Sequence, residues 1–139
     1  MLLVLDTDVV VSAMRSPSGA SAEILRQLRL GRLSIGLSVA LALEYEAVCL
    51  RDEHRAAAAL TLQEALIFVD AIIAMAEPVK VHYRWRPQLR DAADEMVLEA
   101  AVNARADALL TFNLRHFQLA ANDFGLLVER PGEFLRRVT

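Results

Sequence analysis

The sequence has almost no cysteine, no long hydrophobic run and no leader-like amino terminus. Its single cysteine, Cys49, cannot build an internal disulfide framework. Although 55% of the residues are hydrophobic, no apolar run approaches the ~20 residues that a bilayer-spanning helix requires. No basic segment, apolar core or small-residue cleavage site precedes the first apolar run. We therefore expect a cytoplasmic protein that neither carries a signal peptide nor associates with a membrane.

Lysine is also scarce, so the positive charge comes almost entirely from arginine. The net charge is −3, so the composition by itself does not indicate nucleic-acid binding. Lys80 is the only lysine and falls in a short middle strand, whereas a receiver-type signalling domain needs a lysine at the end of a late strand. Arg84, Arg86 and Arg90 flank Trp85, and their forked guanidinium groups suit phosphate oxygens. A solvated loop over a packed Trp85 is an equally good interpretation of this segment.

No linker, repeat or low-complexity tract divides the chain, so its 139 residues predict one domain spanning positions 1–139. Short apolar runs alternate with segments of helical periodicity, a pattern that predicts a three-layer α/β/α domain around a mostly parallel sheet. The predicted strands are 2–5, 33–37, 79–83, 106–110 and 126–128. The predicted helices are 22–30, 38–51, 52–59, 61–76, one starting at 91 or 92, a single turn at 114–117, and 131–137.

Three local signals refine these helices. Ser21 is a candidate cap for the 22–30 helix, and Thr61 with Glu64 forms a capping box for the 61–76 helix. The 38–51 helix carries apolar residues at helical spacing along one side, which predicts that this side is buried. Those residues are Val39, Leu43, Ala47 and Leu50.

The most informative segment is the first apolar strand and the acid that ends it. Four apolar residues, Leu2–Leu5, predict a central strand that is buried on both faces. Asp6 follows at the carboxyl end, where ligands bind in parallel α/β sheets, and Thr7 and Asp8 add side-chain oxygens at the turn into the next segment. A helix cap is the competing role for Asp6 or Asp8.

Further oxygen-bearing side chains are expected at the same edge of the sheet. If the 2–5 and 106–110 strands are neighbours, Asp6 and Asn113 converge there, while Asp94 reaches the edge from a helix start and Glu44 from the inner face of its helix. Each helical acid could instead be solvated or could complement a helix dipole. Carboxylates that meet in one site require cations, and an oxygen-only donor set suits Mg²⁺ or Mn²⁺.

Four segments in this order resemble the successive motifs of PIN-domain nucleases, and they are most similar to the VapC-type endoribonucleases of bacterial toxin–antitoxin pairs. The segments are 5–13 (LDTDVVVSA), Glu44 with Tyr45, 91–101 (DAADEMVLEAA) and 106–117 (ADALLTFNLRHF). The resemblance covers nearly the whole chain.

The resemblance implies a Mg²⁺-dependent or Mn²⁺-dependent hydrolysis of RNA. It implies that Asp6, Glu44 and Asp94 are catalytic and bind the metal, with Asp91 or Asn113 at a fourth position. Supporting roles in orienting the acids and their waters fall to Thr7, Asp8, Ser12 and Thr111. Apart from the resemblance, four arginines are candidates for contacts with flanking RNA phosphates: Arg84, Arg86, Arg90 and Arg115.

Two departures from the family pattern bear on this assignment. Family members often have Asn where this chain has Asp8, and many have Asp where it has Asn113. The uncharged amide at 113 affects a second metal position more than the first. The resemblance also implies an antitoxin protein and a homodimer as partners. The alternative function is a catalytically weak or inactive PIN-like module that binds RNA or protein, and a DNA-directed nuclease of this class would normally have a longer chain.

Overall fold

A computed structural model describes residues 1–82 and 91–139, and in these ranges five parallel strands form one sheet with eight helices around it. The strands are β1 (Leu2–Leu5), β2 (Ser34–Leu37), β3 (Glu77–Pro78), β4 (Ala108–Leu110) and β5 (Val128–Glu129). The helices are α1 (Thr7–Arg15), α2 (Ala20–Arg29), α3 (Val39–Cys49), α4 (Asp52–Ala58), α5 (Leu62–Met75), α6 (Ala92–Ala104), α7 (Leu114–Phe124) and α8 (Pro131–Val138). The predicted three-layer α/β/α fold is confirmed.

The first strand lies at the centre of the sheet, whose order is β3-β2-β1-β4-β5. Leu3, Val4 and Leu5 are completely buried, as the apolar run predicted. β1 pairs in parallel with β4, with Leu5 opposite Leu110. Asp6 and the residues after Leu110 therefore leave the sheet at the same edge, as expected if these two strands are neighbours.

One of the two predicted helix caps is present and the other is not. The capping box is present: Thr61 Oγ1 accepts from Glu64 N at 3.1 Å, and a Glu64 carboxylate oxygen accepts from Thr61 N at 3.0 Å. Ser21, however, does not cap α2, because Gly19 takes the extended cap conformation and the helix begins at Ala20. Ser21 lies in the first turn and is buried.

The predicted buried side of α3 is wrong. Val39 and Leu43 are 78% and 62% exposed, and the buried side chains are Leu41, Tyr45 and Cys49. The helix is apolar nearly all round, so periodicity alone does not select the face that packs on the sheet. Tyr45 is fixed on the buried face because its hydroxyl donates a hydrogen bond to the Leu5 carbonyl of the central strand.

Two further elements differ from the sequence prediction. The strand predicted at 79–83, whose last residue lies outside the described ranges, pairs earlier, at Glu77–Pro78. Val79 N still donates to Leu37 O at 3.0 Å. Proline is tolerated there because β3 is an edge strand. The single turn predicted at 114–117 is an eleven-residue helix that continues to Phe124. It continues because Phe117, Ala120 and Ala121 bury one side of it, and it ends at Gly125, which has a positive φ.

Among the described residues, no single helix has the length and apolar composition of a membrane span. Only α4 and α5 taken together, with a bend of 91° between them, meet that criterion.

Candidate metal-binding active site

A pocket of about 300 Å³ opens beside the carboxyl ends of β1 and β4. Its walls combine the turn after β1 and the first helix, the middle of α3, the start of α6 and the start of α7. Seven residues proposed from the sequence line it: Asp6, Thr7, Asp8, Glu44, Asp91, Asp94 and Asn113. The remaining lining residues are Val11, Val48, His54, Ala93 and His116.

Asp6 lies at the buried base of the pocket and is only 6% exposed. Its Oδ1 accepts a hydrogen bond from Thr7 N, and its Oδ2 accepts one from the Thr111 hydroxyl, both at 2.7 Å. Asp6 therefore does cap α1, the alternative role considered from the sequence, but the cap uses only one of its two carboxylate oxygens. Burial raises the pKa of Asp6, and the hydrogen bond from Thr111 partly opposes that rise.

Asp8 reaches across from α1 to the segment that follows β4. Its Oδ2 accepts from Phe112 N at 3.1 Å and from Asn113 Nδ2 at 3.0 Å. Its Oδ1 is buried and receives no hydrogen bond. Burial, followed by the negative charge of Asp6, raises the pKa of Asp8 to about 7. The metal-free pocket therefore retains a proton on this carboxyl group at pH values where an ordinary aspartic acid has lost it.

Asp94 approaches from the first turn of α6. The carboxylate accepts a hydrogen bond from His116 Nδ1 at 2.9 Å, and its side chain is 14% exposed. Burial raises the pKa of Asp94, and the charges of Asp6 and Asp91 add to the effect. Asp91 itself caps α6, since its Oδ1 accepts from Ala93 N at 2.8 Å, and it is exposed. Glu44 lines the pocket from α3, half-buried.

The other proposed residues do not line the pocket. Thr111 is fully buried behind Asp6, to which it donates its hydroxyl hydrogen bond. Ser12 lies one turn along α1, and Arg115 is exposed on the first turn of α7. The other three candidate phosphate contacts lie outside the described residues and stay predictions: Arg84, Arg86 and Arg90.

Two histidines in the pocket were not selected from the sequence. His116 follows Asn113 by three residues, a spacing that could have placed it on the same side of a helix, but that helix was predicted to be a single turn. His54 comes from α4 and accepts a hydrogen bond from Arg15 Nη1 at 3.3 Å. No motif connects position 54 to the acids, so only the tertiary fold reveals it.

The donor set is compatible with a hard divalent cation. Buried acids with raised pKa values need a proton or a cation to neutralise them. Asp8 Oδ1 and Thr7 Oγ1 are both buried without a hydrogen-bond partner beside this pocket. In residues 1–82 and 91–139, no three His, Cys, Asp or Glu side chains form a metal-holding group by themselves. Mg²⁺ commonly completes its coordination with waters and substrate phosphates, so a pocket lined by carboxylates can hold it without a closed cage of side chains.

The raised pKa values predict that the metal-free protein loses stability as the pH rises from 5.5 to 7.5. A carboxyl group whose pKa is higher in the folded state binds more protons there than in the unfolded chain, so deprotonation favours unfolding between the two pKa values. We expect the free energy of unfolding to fall by about 1 kcal/mol over this interval. Urea unfolding in a chelator at both pH values measures the change. The pKa values of Glu23 and Glu64 are lowered, so these groups change the stability only below pH 5.5 and do not affect this measurement. An unchanged or rising stability would contradict the prediction.

Comparisons with known proteins agree with this fold. Residues 2–115 match the model of the PIN domain family. One chain of the crystal structure of VapBC2 from Rickettsia felis, bound to a DNA fragment from their promoter, has a similar fold with a TM-score of 0.66 and 15% sequence identity. That match covers 94% of this chain and 98% of the other. No curated protein sequence matches the chain. Since the family model spans most of the sequence, including Asp6, Glu44, Asp94 and Asn113, this protein belongs to the PIN domain family.

Proposed function

We propose that this protein is a divalent-metal-dependent endoribonuclease and the toxin of a toxin–antitoxin pair. PIN domains are generally nucleases that use divalent metals. The observation that carries the proposal is the convergence of Asp6, Glu44 and Asp94 on one pocket, with raised pKa values for Asp6 and Asp94. A bound cation would neutralise the negative charge of these acids. The same cation would attract a phosphate group of the substrate.

The residues of this pocket have different roles. Asp6 and Asp94 would hold Mg²⁺ or Mn²⁺ with Glu44. The chemistry that such an ion supplies is neutralisation of phosphate charge and a more acidic bound water. Thr111 fixes one oxygen of Asp6, and His116 fixes one oxygen of Asp94, so each acid presents its remaining lone pairs in a defined direction. Arg115, exposed on the same helix as His116, is available for a flanking phosphate of the RNA.

The test is cleavage of a mixed pool of structured RNA by purified, antitoxin-free protein in Mg²⁺, in Mn²⁺ and in EDTA. We expect fragments in the two metals and none in EDTA. Asp6→Asn, purified in parallel, controls for contaminating ribonuclease because it removes one pocket charge and keeps the shape of the side chain. Fragments that persist at equal intensity in the variant would disprove the proposal. A folded protein that binds RNA without cleaving it would favour the alternative, an inactive PIN-like binding module.

An antitoxin partner is proposed on the same basis, since the structurally similar chain comes from a VapBC2 complex. A groove of about 190 Å³ between α2 and α5 is lined by apolar residues that include Phe68 and Ile72 and by two arginines, Arg29 and Arg26, the second of which is paired with Glu23. An amphipathic segment with acidic flanks fits such a groove. Co-expression with the antitoxin should inhibit cleavage, and Arg29→Glu should weaken that inhibition. Unchanged inhibition would contradict this docking surface.

A homodimer is proposed from the apolar residues that α3 and α5 leave exposed. Val39, Leu43 and Ile67 are 78%, 62% and 59% exposed, and the two helices pack against each other. Exposed apolar side chains concentrated on adjacent elements are typical of protein interfaces. Leu43→Asp is expected to convert a dimer to a monomer in light-scattering measurements. Leu119→Asp, on a residue that is 84% exposed on α7, is the matched control and should leave the mass unchanged. A monomeric wild-type protein would exclude the dimer.

A further inference from the structure

Asp8 is held in the pocket in a way that leaves one carboxylate oxygen unused. Its Oδ2 accepts two hydrogen bonds, from Phe112 N and from Asn113 Nδ2, which fix the side chain against the segment after β4. Its Oδ1 is buried and receives none. Asp6 and Asp8 are two residues apart and line the same pocket. Two carboxylates in one small pocket repel unless a proton or a cation compensates their charge.

Thr7 provides a second, independent observation that points to a ligand. This residue is 8% exposed, lines the same pocket, and its Oγ1 has no hydrogen-bond partner. A buried hydroxyl without a partner is costly, because it has lost its bonds to bulk water. An unpaired hydroxyl and an unpaired carboxylate oxygen, on adjacent residues that line one pocket, match what a hydrated cation provides: a charge for the carboxylate and a bound water for the hydroxyl.

Asn113 uses its polar groups to hold other residues in place. Its Nδ2 donates to Asp8, and its backbone N donates to Thr111 Oγ1 at 2.9 Å. Thr111 in turn donates to Asp6 Oδ2. Asn113 therefore connects to both acids of the first segment, to Asp8 directly and to Asp6 through Thr111.

The other candidate for the fourth position has a role that needs no cation. Asp91 is exposed, and its Oδ1 accepts the capping hydrogen bond from Ala93 N. Water and the helix end satisfy this carboxylate. Asp8, in contrast, combines a fixed orientation with a buried, unpaired oxygen.

We propose that Asp8 is the fourth acid of the cation site and binds the ion directly beside Asp6, with Asn113 as the positioning residue that orients it. Thr7 hydrogen-bonds a water of the ion. This assignment rests on the proposed function only in requiring a divalent cation in the pocket. It gives Asp8 a direct role instead of the supporting role implied by the resemblance.

The experiment measures Mn²⁺ binding to the metal-stripped protein by electron paramagnetic resonance of the free ion, so it does not depend on catalysis. Asp8→Asn is compared with Asp91→Asn, which removes the same charge from the same pocket and keeps a capping side chain. We expect Asp8→Asn to lower the Mn²⁺ affinity about 10-fold or more, and Asp91→Asn to lower it by less than about 3-fold.

The role of Asn113 is tested by a double-mutant cycle on the same binding constant. Asn113→Ala should weaken Mn²⁺ binding in the wild-type background and have no further effect in the Asp8→Asn background, because it acts through Asp8. A merely structural role would produce equal losses in both backgrounds, which would overturn the positioning role.

The possible failures are distinguishable. Equal losses of affinity in Asp8→Asn and Asp91→Asn would overturn the assignment, because charge alone would then explain both. An unchanged affinity in Asp8→Asn would also overturn it. If the wild-type protein binds no Mn²⁺, the metal-dependent function fails as well. If it binds Mn²⁺ through Asp8 but cleaves no RNA, the proposed function fails and the assignment of Asp8 stands.

Discussion

Replacing Asp94 with Asn is expected to lower the rate of RNA cleavage by roughly 10²-fold to 10⁴-fold, the equivalent of several kcal/mol of transition-state stabilisation by the metal. The side chain is largely buried, its pKa is raised first by burial, and His116 holds one of its oxygens. Asparagine has the same shape but no charge, so the fold should persist while the pocket loses a metal-binding carboxylate. Initial rates of cleavage of one RNA in saturating Mg²⁺ measure the effect.

Asp91, three residues before Asp94, provides the control for this effect. Asp91→Asn removes the same charge at the start of the same helix, but Asp91 is exposed and its side chain caps α6. We expect a rate loss of a few-fold at most, because an exposed charge is screened by solvent. Circular dichroism of both variants should match that of the wild-type protein. If Asp94→Asn retains more activity than Asp91→Asn, the assignment of Asp94 as a metal ligand is wrong.

The central pairing and the convergence of the acids could be predicted from the sequence because each depends on a local pattern and one topological rule. A four-residue apolar run at Leu2–Leu5 and a short one ending at Leu110 predicted buried parallel strands, and the carboxyl ends of such strands meet at one edge. The positions of Asp6 and Asp94 at this edge follow from that rule without further tertiary information.

The remaining features depend on packing that no local pattern encodes. The apolar residues of α3 surround the helix, so only contact with the sheet selects Tyr45 and Cys49 over Val39 and Leu43 as the buried side. His54 enters the pocket from α4, at no fixed spacing from the acids. The direct role proposed for Asp8 depends on which of its two oxygens is bonded, and sequence cannot provide that information.

The length of α7 leads to the second large effect. Phe117→Ala is expected to destabilise the protein by about 3–5 kcal/mol, because a completely buried aromatic side chain is replaced by a cavity. Phe117 lies on the buried side of α7, which packs against α6 and β5. Urea unfolding in EDTA measures the loss without a contribution from metal binding. Leu119→Ala is the matched control on the same helix, and because Leu119 is 84% exposed we expect a change of less than about 0.5 kcal/mol.

The same variant should also disturb the pocket before it unfolds the protein. His116 precedes Phe117 and donates to Asp94, and Asn113 at the cap of α7 donates to Asp8. Loss of the buried anchor therefore loosens contacts to two acids at once. Under conditions where Phe117→Ala remains folded, we expect weaker Mn²⁺ binding than in the wild-type protein, whereas Leu119→Ala should bind Mn²⁺ normally. Equal Mn²⁺ affinities in the two variants would show that the position of α7 is set by contacts other than Phe117.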